Sequence, residues 1–212
     1  MALLDGGPLF WEAVKMDTKA IGEVLGEKFE GVAGDAALAL AELQLPTGAA
    51  ILDVGTGKGY FAIYLASQGY RVLTGEPSTD HSHYAGQDWA SNAEKAGVRD
   101  RIRFEHFNAA EMPFPPESFD AIFFYGVLHH VPESLRGDVL REAFRVAKQD
   151  GVVVLFEPRA ELLQRLWRDD PGHPRAAEPA KHLPGPHIQE RRMEGALMNI
   201  FICRRQTAGE GR

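Results

Sequence analysis

Along this chain the spacing of apolar residues switches repeatedly between two periods. Ala50 to Val54 is a short apolar run ended by a glycine cluster, and Tyr60 to Gln68 then places Phe61, Ile63, Tyr64 and Leu65 at helical spacing until Gly69 stops it. The change recurs downstream. Arg71 to Thr74 predicts a strand, Gln87 to Ala96 a helix ending at Gly97, and Ile102 to Phe107 alternates with period two. Phe119 to Phe124 is apolar and aromatic throughout, as a strand buried on both faces is. Ser134 to Lys148 is amphipathic, with Leu135, Val139, Phe144 and Val146 near one face, and Gly151 introduces a strand over Val152 to Phe156. Strands alternating with helices predict an α/β fold with a largely parallel sheet.

Two regions flank this core. Residues 9–45 predict two helices, with Leu38, Leu40, Leu43 and Leu45 as apolar surface and Pro46-Thr47-Gly48 as the stop. Beyond the core, a helix over Ala160 to Arg168 runs into Asp170-Pro171-Gly172-His173-Pro174 and Pro184-Gly185-Pro186, too rich in proline for regular structure. Ala196 to Cys203 is the last strand. A length of 212 residues suits one domain. Within it, 9–45 form a helical lid, 48–158 the core, and 159–206 a C-terminal segment on the substrate side.

Charge and cysteine usage narrow the chemistry. A net charge of −7 works against nucleic-acid binding, which depends on Lys and Arg neutralising phosphates, and Arg191-Arg192 and Arg204-Arg205 read as solvated charge. Cys203 is the single cysteine, so an intramolecular disulfide and a thiolate metal cluster are excluded. Met1 to Pro8 lacks the basic-then-apolar pattern of a signal peptide, and no segment approaches the roughly 18 apolar residues a membrane helix needs. The expected location is the cytoplasm, with no membrane partner.

The chemistry-bearing feature is Asp53-Val54-Gly55-Thr56-Gly57-Lys58-Gly59, a strand ending beside an acid and entering a glycine turn at a helix start. Such a turn lets backbone approach a ligand closely, and helix-terminal N–H groups attract negative charge. A dinucleotide fold needs a small residue three positions after the second glycine, where this chain has Tyr60. The spacing instead resembles the first motif of class I S-adenosylmethionine-dependent methyltransferases, and further segments carry the same resemblance. Gly75-Glu76-Pro77 ends the second strand. Asn108-Ala109-Ala110-Glu111-Met112-Pro113-Phe114-Pro115, followed by Phe119-Asp120, is similar to that family's Asp-Ala-x-x-Leu-Pro-Phe pattern, with Asn108 in place of the usual Asp. Tyr125-Gly126-Val127-Leu128-His129-His130 resembles the Leu-His-His run of many small-molecule methyltransferases, and Leu140 to Gly151 resembles the helix and turn before the fifth strand.

The resemblance spans about residues 48–158 and implies a Rossmann-like, mostly parallel, seven-stranded-type sheet with helices on both faces and the last strand antiparallel. One strand is expected to be weak or missing near residues 187–193. It implies S-adenosyl-L-methionine as cofactor, held by Asp53, Gly55, Thr56, Gly57, Gly59, Glu76, Pro77, Asn108, Ala109 and Tyr125. Asp53 would lie near the methionine ammonium, Glu76 would accept from both ribose hydroxyls, and the Asn108 amide oxygen would accept from the adenine amine. His130, with His129 second, is the expected catalytic base for acceptors that need one. Phe107 and Tyr125 each have a core-packing alternative. Asp80, His81 and His83 read as a polar loop, Glu157 stands isolated, and no metal is expected. The expected partner is a small-molecule acceptor, reached through walls formed by the N-terminal helices (Phe10, Trp11, Lys15, Met16, Phe29), Ser78 to Gln87 and Asp169 to His187. A protein or RNA acceptor, or cofactor binding without catalysis, are the alternatives.

Overall fold

The computed structural model describes residues 15–206, so Phe10 and Trp11 lie outside the described residues. Seven strands form one sheet in the order β3-β2-β1-β4-β5-β7-β6. They are β1 (Ala50–Val54), β2 (Arg71–Glu76), β3 (Ile102–His106), β4 (Phe119–Tyr125), β5 (Ala147–Pro158), β6 (Ile188–Glu194) and β7 (Met198–Arg205). The β3-β2-β1-β4-β5 ladder is parallel, and β7 runs antiparallel to both of its neighbours. This is the Rossmann-like arrangement with a reversed last strand. Among the described residues, no helix is long and apolar enough to cross a membrane.

Strand alternation sorts the core into two layers. On β4, Ala121 and Phe123 face the layer made by α1 (Thr18–Leu25), α2 (Glu27–Leu43), α3 (Tyr60–Ser67) and α4 (Trp89–Lys95). Ile122 and Phe124 face the layer of α5 (Glu133–Val146). Phe123 and Phe124 are fully buried, as expected for a strand with both faces covered. Phe61 of α3 locks the first layer, its ring centroid 5.2 Å from those of Phe123, Tyr125 and Phe156. Asp120 anchors the opposite end of β4, accepting from the Ala50 N–H at 2.7 Å and from Lys148 Nζ at 2.7 Å.

Two departures from the expected elements have a structural cause. The helix before β5 ends at Val146, because Ala147 already pairs with Phe119 before the register steps to Ala121 opposite Val152. Gly151 makes that irregularity sterically possible: a Cβ there would lie 2.9 Å from the Lys148 carbonyl and 3.1 Å from the Phe119 carbonyl. The strand expected to be weak or missing is present as β6, paired with β7 along seven residues. It is the sheet's edge, and its exposed Gln189, Arg191, Arg192 and Glu194 give it the charge that edge strands carry. That charge hides it from a hydrophobic reading.

Asp35, in the middle of α2, is fully buried and fastens the β6–β7 turn to the helical layer. Its carboxylate accepts from the backbone N–H groups of Ala196 (2.6 Å), Leu197 (3.2 Å) and Met198 (3.0 Å). Burial raises the Asp35 pKa, and the three backbone donors oppose the rise. Removing this acceptor leaves several buried donors unpaired. Asp35→Ala is expected to lower stability by about 2–4 kcal/mol in urea unfolding, with Asp35→Asn milder because its amide oxygen still accepts. A loss below about 0.5 kcal/mol in the alanine variant would contradict this role.

Candidate functional site

The strand order reverses between β1 and β4, and parallel α/β sheets leave a crevice at that switch point, outside the strands' carboxyl ends. The glycine turn occupies it. Gly55, Gly57 and Gly59 have φ of +89°, +48° and +75°, a region L-residues with side chains avoid. Two of them are also tightly covered. A Cβ on Gly55 would lie 2.5 Å from Val127 Cγ2, and one on Gly59 2.9 Å from Trp89 Cβ. Glycine is therefore required here by backbone shape and by close packing.

Asp53 and Glu76 flank the turn. Asp53 is 1% exposed; one oxygen accepts from the Thr74 hydroxyl at 2.8 Å and the other is buried without a partner. Burial, and then the neighbouring Glu76 charge, push its pKa up to about 7, against the opposing Thr74 bond. An unpartnered acceptor beneath a glycine cradle suits a cationic donor such as an amino acid ammonium. Thr56 is buried too, with its hydroxyl 2.9 Å from that of Thr74, so it braces the two strand ends.

Glu76 stands at the end of β2 as expected, but its carboxylate is already engaged. It accepts from the Gly57 N–H at 3.2 Å and from the Gly86 N–H at 2.6 Å. The segment from Ser78 to Gln87, expected as an acceptor wall, thus folds across the glycine turn, with the Tyr84 carbonyl 3.6 Å from the Cβ position of Gly57. Pro77 leads into that segment, its carbonyl accepting from the Asp80 N–H at 3.1 Å.

The third strand's exit is partly as expected. Asn108 is exposed after β3, and its amide oxygen accepts from the Ala110 N–H at 3.0 Å, which leaves one lone pair for a ligand. Ala109 is half-buried against the second layer. Phe107 points inward, edge-on to Phe114 at 5.2 Å, so the core-packing alternative describes it. Tyr125 is also a core residue. Its ring packs on Phe61 and Phe156, and its hydroxyl lies 3.5 Å from Asp35 rather than at the turn.

Beyond β4 a 3₁₀ turn over Leu128–His130 carries the two histidines. His129 is buried with Nδ1 3.0 Å from Glu157 Oε2, and Arg136 reaches the carbonyls of His129 (3.3 Å) and Val131 (3.0 Å). Glu157, isolated in the sequence, is in fact the partner of His129 and also accepts from the Ala177 N–H at 2.7 Å. His130 is exposed on its outer edge. Burial of its inner edge, followed by the neighbouring His129 and His173, pushes its pKa down to about 4, so it is neutral at pH 7.

His173, from the proline-rich segment, completes the group. Its ring centroid lies 5.3 Å from that of His129 and 5.0 Å from that of His130, and its Nδ1 is 2.9 Å from the Tyr84 hydroxyl. Burial lowers its pKa as well. No spacing in the chain announces this meeting, because His173 and Glu157 reach His129 through the fold alone. His83, by contrast, stays in the polar loop, its ring tilted against that of Tyr84 with centroids 3.8 Å apart.

Comparison with known proteins agrees with this geometry. Residues 52–155 match a family model described as a methyltransferase domain. The chain is 36% identical over 113 residues to 27-O-demethylrifamycin SV methyltransferase of Amycolatopsis mediterranei, a match covering 53% of this chain and 40% of that protein. It spans about half, or less, of the length of the curated relatives it matches. The crystal structure of YcgJ from Bacillus subtilis superimposes with a TM-score of 0.63 at 18% identity, covering 82% of this chain and 99% of that one. The 1,6-didemethyltoxoflavin-N1-methyltransferase of Burkholderia thailandensis, crystallised with 1,6-didemethyltoxoflavin and S-adenosylhomocysteine, superimposes with a TM-score of 0.57 at 23% identity, covering 84% and 78%. The two superpositions establish the fold.

The Asp53 environment has a measurable consequence. Its folded pKa of about 7 lies above the ordinary value of 3.8, so the native state holds a proton that the unfolded chain releases. Its contribution to stability is complete below about pH 4 and is lost as pH rises to about 7. The stability of the wild type relative to Asp53→Asn should therefore fall between pH 5 and pH 7, by at most about 1.4 kcal/mol per pH unit, and level off above. Urea unfolding of both proteins at pH 5, 6, 7 and 8 measures the difference. A constant difference across that range would show that Asp53 titrates normally.

Proposed function

We propose that this protein, whose residues 52–155 match a family model described as a methyltransferase domain, is a class I S-adenosylmethionine-dependent methyltransferase that transfers a methyl group from S-adenosyl-L-methionine to a small-molecule acceptor. The observation that carries the reading is the buried, unpartnered Asp53 oxygen beside a glycine turn no larger residue can form. Asp53 would accept from the cofactor's ammonium, the Gly55–Gly59 backbone would lie under the methionine moiety, and Glu76 would take the ribose hydroxyls. Asn108 and Ala109 would receive the adenine. When bound, the cofactor supplies an electrophilic sulfonium methyl.

The chain's own contribution is largely position and exclusion of water. The glycine turn is packed against Val127 and Trp89 and crossed by the Tyr84 carbonyl, conditions that favour a near-attack alignment away from bulk water. For a hydroxyl or carbon acceptor, His130 is the accessible neutral imidazole at this rim, while His129 is buried against Glu157 and holds the turn. A small acceptor is supported by the chain's net charge of −7 and by relatives whose names specify rifamycin and toxoflavin substrates. Cytoplasmic residence is supported by the single cysteine, Cys203, which is free and buried. A second reading, binding without turnover, rests on the segment from Ser78 to Gln87, which covers Gly57 and engages Glu76.

Thermal unfolding with ligands tests the proposal. S-adenosylhomocysteine is expected to raise the melting temperature, with a stabilisation of about 2.7 kcal/mol at a hundredfold excess over Kd, while NAD gives no shift. Glu76→Ala is expected to remove most of the shift, and unchanged affinity would take Glu76 out of the ribose role. Equal shifts from both ligands, or none from either, would refute the cofactor assignment. Binding with no transfer to any acceptor in a panel of small molecules would favour the second reading.

A further inference from the structure

We propose that His129, His130 and His173 form a binding site for one divalent transition ion, zinc(II) foremost, beside the glycine turn. One ligand nitrogen from each of the three lies within 4.8 Å of the others. Three imidazoles with a fourth position open is a ligand set zinc accepts, and imidazole-only donors favour zinc, copper or nickel over the oxygen-seeking calcium and magnesium. Tetrahedral zinc with Zn–N bonds of about 2.0–2.1 Å needs the nitrogens closer than this, roughly 3.4 Å apart. His130, exposed at the mouth, is the ring with room to close that gap.

Proximity is the weaker half of the argument; orientation is the stronger. Metal-binding histidines present one nitrogen while the other donates to a carboxylate or similar acceptor, which fixes tautomer and ring angle. Both buried rings are held this way. His129 Nδ1 faces Glu157 Oε2 at 3.0 Å, and because that oxygen already acts as an acceptor toward the Ala177 N–H, it places the hydrogen on Nδ1 and the lone pair on Nε2. The Tyr84 hydroxyl donates to Asp170 Oδ2 at 3.2 Å, so its oxygen accepts from His173 Nδ1 at 2.9 Å. His173 Nε2 is thereby left with its lone pair, buried and without a hydrogen-bond partner among the described residues, on a side chain 3% exposed. A buried polar nitrogen without a partner is destabilising, and an ion shared with His129 and His130 supplies the missing partner.

The inference stands on this geometry and does not depend on methyl transfer. If both hold, the ion sits at the acceptor's side of the rim. A His130 nitrogen bound to it cannot also take a proton, so lowering the acceptor's pKa falls to the ion.

Chelator-stripped full-length protein is dialysed against zinc(II) alone and bound metal is counted by elemental analysis, with cobalt(II) absorption as a report of tetrahedral geometry. One ion per chain and intense visible cobalt bands are expected. His130→Ala, the exposed ligand least able to disturb folding, and His173→Ala should each weaken binding at least tenfold. Glu157→Gln should weaken it about 10- to 100-fold through misoriented His129. His187→Ala, outside the group, should bind as the wild type does. Circular dichroism identifies any variant that fails to fold. Absence of stoichiometric zinc in the wild type, or unchanged affinity in folded His130→Ala, would overturn the site. Because no cofactor or acceptor is present, either result leaves the methyltransferase reading untouched.

Discussion

A carboxylate taken out of water must find donors, and that requirement organises the carboxyl-terminal rim of this sheet. Four buried acids meet it in four ways. Asp35 gathers the N–H groups of the β6–β7 turn, Asp53 takes the Thr74 hydroxyl, Glu76 takes backbone from the glycine turn and from Gly86, and Glu157 takes His129 and Ala177. Asp53 joins β1 to β2, and the other three acids tie a segment outside the parallel core to a strand end or helix inside it. The peripheral pieces that shape the site are thus held by charge-assisted hydrogen bonds, which are roughly twice as strong as neutral ones.

What could be read from the chain divides along physical lines. Strands buried on both faces announce themselves by composition, as β4 and the centre of β5 do, and the glycine turn follows from residue type because its backbone admits nothing else. Asp53 and Glu76 were legible by position, at strand ends where the family resemblance needs acids. β6 was not, because an edge strand is protected by the charges that disguise it as loop. Asp35 was missed for a related reason: an acid in mid-helix reads as solvated surface, and only the distant β6–β7 turn makes it a buried acceptor.

Tyr125 and the histidines mark the limit more sharply. At a strand end, successive side chains alternate faces, and position alone does not say which face looks on the crevice. The Tyr125 ring takes the α3 side and joins Phe61 and Phe156. His129 and His130 were recognised as a pair, but their surroundings come from Glu157, 27 residues past His130, and from His173, beyond the helix Ala160–Asp169. An assignment of roles between two adjacent histidines becomes, in three dimensions, a question about three histidines and the groups that orient them.

Tyr84 touches both halves of the rim at once. Its carbonyl lies over Gly57, and its hydroxyl is the acceptor that orients His173. A ligand entering the turn would meet the same short segment whose hydroxyl faces His173. Occupants of both places would be coupled through that segment wherever either one displaces it. By reciprocity, whatever free energy one occupant adds to or takes from the other's binding is returned in equal measure.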